Sequence, residues 1–152
     1  MQHQRRTFLK LSGGALSVAA VTLLPAGRAI AANRPENAFQ SKAMADALKN
    51  LGATDMIDSA DIVITAPDIA ENGAVVPIAV TSKIPNTESI AILAEKNPFP
   101  LAAAFSISSS MDAYVSTRVK LGQTSDIRAV IKAGGKYYTA IKEVKVTVGG
   151  CG

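Results

Sequence analysis

The sequence has no tryptophan, one cysteine and one histidine among its 152 residues. A single thiol excludes a disulfide framework within the chain and a thiolate zinc site. The histidine, His3, stands near the start. Everything after it lacks a Ser-His or Cys-His pair to activate a nucleophile, and lacks the commonest ligand of zinc, copper and haem iron. A Cys-X-X-Cys redox pair is missing as well. Aromatic residues make up 5% of the chain, so a core has to be built from aliphatic side chains. The longest apolar run, Leu11 to Leu24, is about 14 residues, short of the ~20 that span a bilayer as a helix.

The net charge of +4 points at first to nucleic acid, but Arg5, Arg6, Lys10 and Arg28 supply all of it. No acid lies in the first 31 residues, and the remainder is formally neutral. Nucleic-acid binding thereby loses its electrostatic basis.

Residues 1–31 read as an export signal. Arg5-Arg6-Thr7-Phe8-Leu9-Lys10 gives a charged start, Leu11–Leu24 an apolar run, Pro25 a break, and Ala29-Ile30-Ala31 the small residues that a signal peptidase reads. The paired arginines point to the twin-arginine route, which exports folded chains. No cysteine follows the apolar run until the far end, so no lipid or membrane anchor is expected. The expected mature protein runs from about Ala32 to Gly152 and is periplasmic.

Residues 32–60 form a polar lead-in and a helix. Over Ala38–Leu51, Met44, Ala47, Leu48 and Leu51 recur at helical spacing; Asn37 can cap the start and Gly52 the end. The apolar stripe is narrow, which suits packing on something larger or on a partner. From Asp61 the pattern changes to short β-rich segments. Strands are predicted over 61–66, 74–84, 88–96, 101–107, 113–121, 126–133 and 136–148. Asn72-Gly73 and Gly134-Gly135 mark turns. Pro77 places its strand at an edge or a bulge. Val115, Thr117, Val119 and Leu121 face inward, as do Ile127, Ala129 and Ile131, while Arg128, Val130 and Lys132 face out. Seven strands without a helical crossover predict a mainly β fold, an immunoglobulin-like antiparallel β-sandwich over 61–148 with one N-terminal helix.

The chain ends Val148-Gly149-Gly150-Cys151-Gly152, so residues 149–152 form a flexible tail carrying the only thiol. Chain ends lie at the surface and fray, which argues against a buried structural cysteine. A free thiol in an oxidising compartment invites disulfide exchange, which argues against a chance terminal residue. Glycine has no side chain and a wide conformational range. The segment is therefore thin, reaches roughly 13 Å at ~3.3 Å per residue, and can thread a narrow channel. These properties describe a swinging arm: Gly149, Gly150 and Gly152 are the hinge and the sulfur of Cys151 holds cargo. Two other classes compete. One is a structural or binding sandwich that dimerises through a Cys151–Cys151 disulfide. The other is a thiol enzyme, which the missing histidine and resolving cysteine disfavour. Lys142 and Glu143 suit a solvated strand face better than acid-base work. Asp55, Asp58 and Asp61 lack the glycine and terminal glutamate of a calcium loop and read as loop and strand-start residues. No cofactor or metal is expected.

The twin-arginine signal, the stretch Asp68-Ile69-Ala70-Glu71-Asn72-Gly73-Ala74-Val75-Val76-Pro77-Ile78, the seven-strand texture and the Gly-Gly-Cys-Gly end together resemble the SoxY family of the bacterial thiosulfate-oxidising (Sox) system. The resemblance implies an immunoglobulin-like sandwich that pairs with a second sandwich subunit, SoxZ, and is no enzyme itself. It puts the carrier cysteine at Cys151 and its hinge at Gly149, Gly150 and Gly152, one glycine short of the family tail. It also implies a cycle served by partners. A c-type cytochrome couples thiosulfate oxidatively to the cysteine and a manganese hydrolase releases sulfate and leaves a persulfide; further oxidation by a sulfur dehydrogenase, or sulfur transfer, and another hydrolysis restore the thiol.

Overall fold

Residues 34–148 are described by the computed structural model; residues 1–31, expected as an export signal, lie outside them. The chain opens with two helices, α1 (Glu36–Phe39) and α2 (Met44–Leu51), in place of the single helix expected over 38–51. The break has a local cause. The Ser41 hydroxyl donates to the Asn37 carbonyl at 2.8 Å, and the Asn50 side-chain amide donates to the same carbonyl and to Ser41 Oγ. Short polar side chains that bond the backbone compete with helix continuation. Asn37 lies inside α1, behind Pro35, and does not cap it. Gly52 does end α2, in the left-handed conformation at φ +78°.

All seven expected strands form, with ends within two residues of those expected: β2 (Ile62–Thr65), β4 (Val76–Ser82), β5 (Thr87–Ala94), β6 (Leu101–Ser106), β7 (Tyr114–Val119), β8 (Ser125–Ala133) and β9 (Lys136–Val146). Two short strands, β1 (Met56–Asp58) and β3 (Ile69–Ala70), were not expected. Both run parallel to β9, along the edge that β8 leaves open. The larger sheet has the order β1-β9-β8-β5-β6 with β3 also on β9, and the smaller the order β2-β4-β7. Gly134 and Gly135 adopt φ +55° and +74° between the paired Ala133 and Lys136. Two central residues at positive φ match the twist of a tight hairpin, and glycine adopts them without strain.

Two layers of apolar side chains hold the fold. Between the sheets lie Ile78, Val80, Ile90, Ile92, Ile127 and Ile131, each essentially without solvent contact. Burying one such side chain is worth about 1.5–3 kcal/mol. The outer face of the larger sheet has its own layer, in which Ala91, Leu93 and Val130 meet Ala38 and Ala47, with Met44, Leu48 and Leu51 at the margin. One expectation changes accordingly: Val130, expected to face out, is 2% exposed beneath the helices. Of the two alternatives for the helix stripe, packing on something larger is the one found, since the chain's own sheet covers it and it is not left as a surface for a partner.

Pro77 is on β4, the middle strand of the smaller sheet, and not at an edge. Its missing N–H is tolerated by position. The Ser82 amide donates toward β7 (Ala113) and the Lys83 amide toward β2 (Asp61), so odd-numbered amides of β4 face the β2 side. The β2 pairing ends at Thr65–Ala79, before Pro77 is reached. No ladder bond is lost there.

Candidate functional site at the end of the last strand

Cys151, Gly149, Gly150 and Gly152 lie outside the described residues. The root from which they leave is described. β9 pairs with β8 as far as Ser125–Val144. Past that point a side chain takes over: the Val146 amide donates to Thr124 Oγ1 at 3.0 Å. On the opposite edge the segment 68–73 continues the ladder. The Lys145 amide donates to the Asp68 carbonyl at 3.0 Å, and the Thr147 amide to the Ala70 carbonyl at 3.1 Å. The Thr147 hydroxyl donates to the Glu71 carbonyl at 3.2 Å. Finally the Gly73 amide donates to the Val148 carbonyl at 2.8 Å. The last residue before the glycines is thus held by its own carbonyl.

The 68–73 segment has its own supports. Asn72 Oδ1 accepts from the Ala74 amide at 2.8 Å, an Asx turn that fixes the bend into β4. The Gly73 carbonyl accepts from the Leu121 amide at 2.7 Å. Gly73 therefore joins the end of β9, in the larger sheet, to the residues that follow β7, in the smaller one. Lys142, out of pattern in the alternation of β9, meets Asp68 at 3.0 Å. Asp68 is largely exposed, so the pair contributes at most about 1 kcal/mol. Ile69, Val75 and Val148 stand exposed on the same segments.

Chemically the described contacts of the root are main-chain and hydroxyl hydrogen bonds and one ion pair. Among the described residues no group of His, Cys, Asp or Glu is placed to bind a metal ion. Asp58 sits on β1 opposite Thr139, and the Asp61 amide donates to Ser59 Oγ, as strand and loop residues do. A cavity of about 690 Å³ lies elsewhere, bounded by Arg34, Leu51, Ala91, Ala104, Val130 and Tyr137. Tyr137 is at the start of β9, roughly 30 Å along the strand from Val146 at ~3.3 Å per residue. The sequence reading marked Asn72-Gly73 only as a turn and missed its grip on the tail root. The available signal was an Asn-Gly turn whose flanks, Ile69-Ala70 and Val75-Val76, do not form an alternating hairpin.

The profile of the family "Sulfur oxidation protein SoxY" matches residues 48–151, more than half of the chain. Among solved structures, the sulfur carrier protein SoxY from Chlorobium limicola f thiosulfatophilum is 40% identical, with a TM-score of 0.62 over 68% of this chain and 94% of that one. A Jonesia denitrificans lytic polysaccharide monooxygenase is 11% identical, with a TM-score of 0.36 over 61% and 58% of the two chains. An engineered protein is 9% identical, at 0.40 over 59% and 21%. No curated protein matches. With the family profile spanning β1 through the tail cysteine and a 40% identical structure sharing the sandwich, the chain belongs to the SoxY family of sulfur oxidation proteins.

Proposed function

We propose that this protein is a periplasmic sulfur carrier, exported by the twin-arginine route, that holds thiosulfate-derived intermediates covalently on Cys151. The observation that supports this most is the position of the only thiol. It lies three residues beyond Val148, which follows a strand fastened on both edges, and it stands behind two glycines. A rigid handle and a thin arm suit delivery of one atom into another protein's channel.

The chemistry balances without a base in the carrier. Thiolate and thiosulfate join through a new S–S bond to give Cys-S-thiosulfonate and two electrons, which a c-type cytochrome accepts. Water then cleaves the sulfone sulfur from the chain as sulfate and leaves a persulfide on Cys151. Each of these steps uses the carrier only as a sulfur nucleophile or leaving group. The partners proposed are a SoxZ-like sandwich subunit in a heterodimer, the cytochrome, a manganese hydrolase and a sulfur dehydrogenase.

Two substitutions test the reading. Cys151→Ser abolishes carriage, because a hydroxyl forms no persulfide, and leaves folding unchanged. Gly150→Val adds a β-branched side chain next to the sulfur, stiffening and thickening the arm. Reagents in free solution then still modify Cys151 at nearly the normal rate, while turnover by partner enzymes falls steeply. Equal, small losses in both assays would reject the arm.

A further inference from the structure

We infer that the contacts of Thr147 and Val148 with the segment 70–73 act as a clamp that sets the working length of the arm, with Gly73 and Thr147 as positioning residues. The inference rests on the carrier reading and concerns how that carrier measures its reach.

The bonding pattern carries it. β9 needs no bond beyond Val144 to complete its ladder with β8, and its core contacts end with Val146. Thr147 and Val148 are exposed and contribute no core packing. They nevertheless make three hydrogen bonds, through the Thr147 amide, the Thr147 hydroxyl and the Val148 carbonyl, all to one short segment. That segment is itself tied to the other sheet through the Gly73 carbonyl and Leu121. Bonds made by exposed residues beyond the core add little to folding, but they fix where the arm of the proposed carrier begins. With the clamp closed, three residues separate the last fastened carbonyl from the thiol, a reach of about 10 Å at ~3.3 Å per residue. With it open, the pivot retreats to Val146 and the arm gains two residues, about 7 Å.

This makes a compensation testable. Deleting Gly149 and Gly150 in the clamped chain leaves the thiol about 7 Å short. A misplacement of that size lowers partner-enzyme turnover by about a hundredfold or more. Thr147→Pro removes both the amide that Ala70 holds and the hydroxyl that Glu71 holds, at an exposed position outside the core. Combined with the two-glycine deletion, it restores turnover by at least about tenfold over the deletion alone, because a clamp left with only the bond from the Gly73 amide to the Val148 carbonyl opens and returns the lost length. A gain of this kind cannot come from a damaged fold. The pair Thr124→Val and Thr147→Val, which removes only hydroxyl contacts, rescues in the same direction and by less. The assay uses the mature chain with its copurifying subunit, and follows turnover of Cys151-bound cargo by a partner hydrolase beside modification by a small disulfide reagent. If the deletion with Thr147→Pro is no faster than the deletion alone while the reagent modifies both equally, the clamp is refuted and the carrier stands. If Cys151→Ser turns over like the parent, the carrier reading fails and the clamp with it.

Discussion

The Tyr137 hydroxyl donates to the Leu51 carbonyl at 2.9 Å, closing the last turn of α2 onto the first residues of β9. The same hydroxyl lies 3.0 Å from where a Cβ on Gly52 would stand, and Gly52 is left-handed at φ +78°. The helix end, the glycine and the tyrosine therefore form one joint between the outer layer and the sheet. Tyr137→Phe removes the bond and leaves the Leu51 carbonyl without it, an expected loss of about 1 kcal/mol in urea unfolding. Gly52→Ala meets both a strained backbone and a tight contact, and is expected to cost more, about 1–2 kcal/mol. A Gly52→Ala chain as stable as the parent would contradict this joint.

Val130 provides a sharper test of the outer layer. Its neighbours Arg128 and Lys132 are only partly covered, whereas Val130 is 2% exposed under the helices. Val130→Lys puts an unpaired charge there and is expected to cost more than about 3 kcal/mol. If the outer face were open to solvent, the change would be nearly neutral. Unfolding midpoints of the two chains decide between these outcomes.

The same residue shows where sequence reasoning runs out. Alternation along β8 revealed one buried face, Ile127, Ala129 and Ile131, because period two is a local signal. That the opposite face is covered as well depends on helices some 80 residues upstream, and a single apolar Val130 between two cations gave no period to read. β1 and β3 were illegible for a related reason. They are three and two residues long, and they exist because β9 offers a free edge to pair with. The helix break was legible in principle at Ser41, but only Asn50, nine residues away, completes the hydrogen bonds that hold it. At the site, the cysteine and its glycines were plain from the chain end. The grip of Gly73 on Val148 was not, since it joins residues 75 apart in sequence and involves main-chain atoms alone.

Glu88 and Lys132 give the fold a pH dependence of known sign. Lys132 Nζ lies 3.1 Å from Glu88 Oε2, and the Gly135 amide points at Oε1. The hydrogen bond from Lys132, then that from Gly135, hold the Glu88 carboxyl below the usual carboxylate range. The hydrogen bond to Glu88 raises Lys132 above the usual lysine value. A carboxylate depressed by folding stabilises above its unfolded pKa, and that contribution is lost as pH falls through the folded value. A raised lysine stabilises below its unfolded pKa and loses the contribution as pH rises through the folded one. The pair thus acts across neutral pH and drops out at both extremes. Glu88→Gln is expected to be slightly less stable than the parent at neutral pH and equal to it in strong acid. A stability gap that stays constant from neutral to acid pH would show that the charge plays no part.

The export proposal fixes where the functional chain begins. Cleavage after Ala29-Ile30-Ala31 gives a first residue near Ala32 and removes His3 together with the whole net positive charge. N-terminal sequencing of the protein from the periplasmic fraction is expected to read Ala-Asn-Arg-Pro or a start within a few residues of it. A chain that retains Met1 in that fraction would overturn the cleavage, and with it the neutral charge of the working protein.

The central claim is that Cys151 carries sulfur, and intact-mass spectrometry of the protein isolated from thiosulfate-grown cells tests it most directly. Cargo has one thiol to occupy. The account predicts a population heavier by a thiosulfonate or by single sulfur atoms, the added mass confined to the C-terminal fragment with Cys151 and lost on reduction. A protein found only as the free thiol, or only as a Cys151–Cys151 dimer of twice the mass, would contradict it.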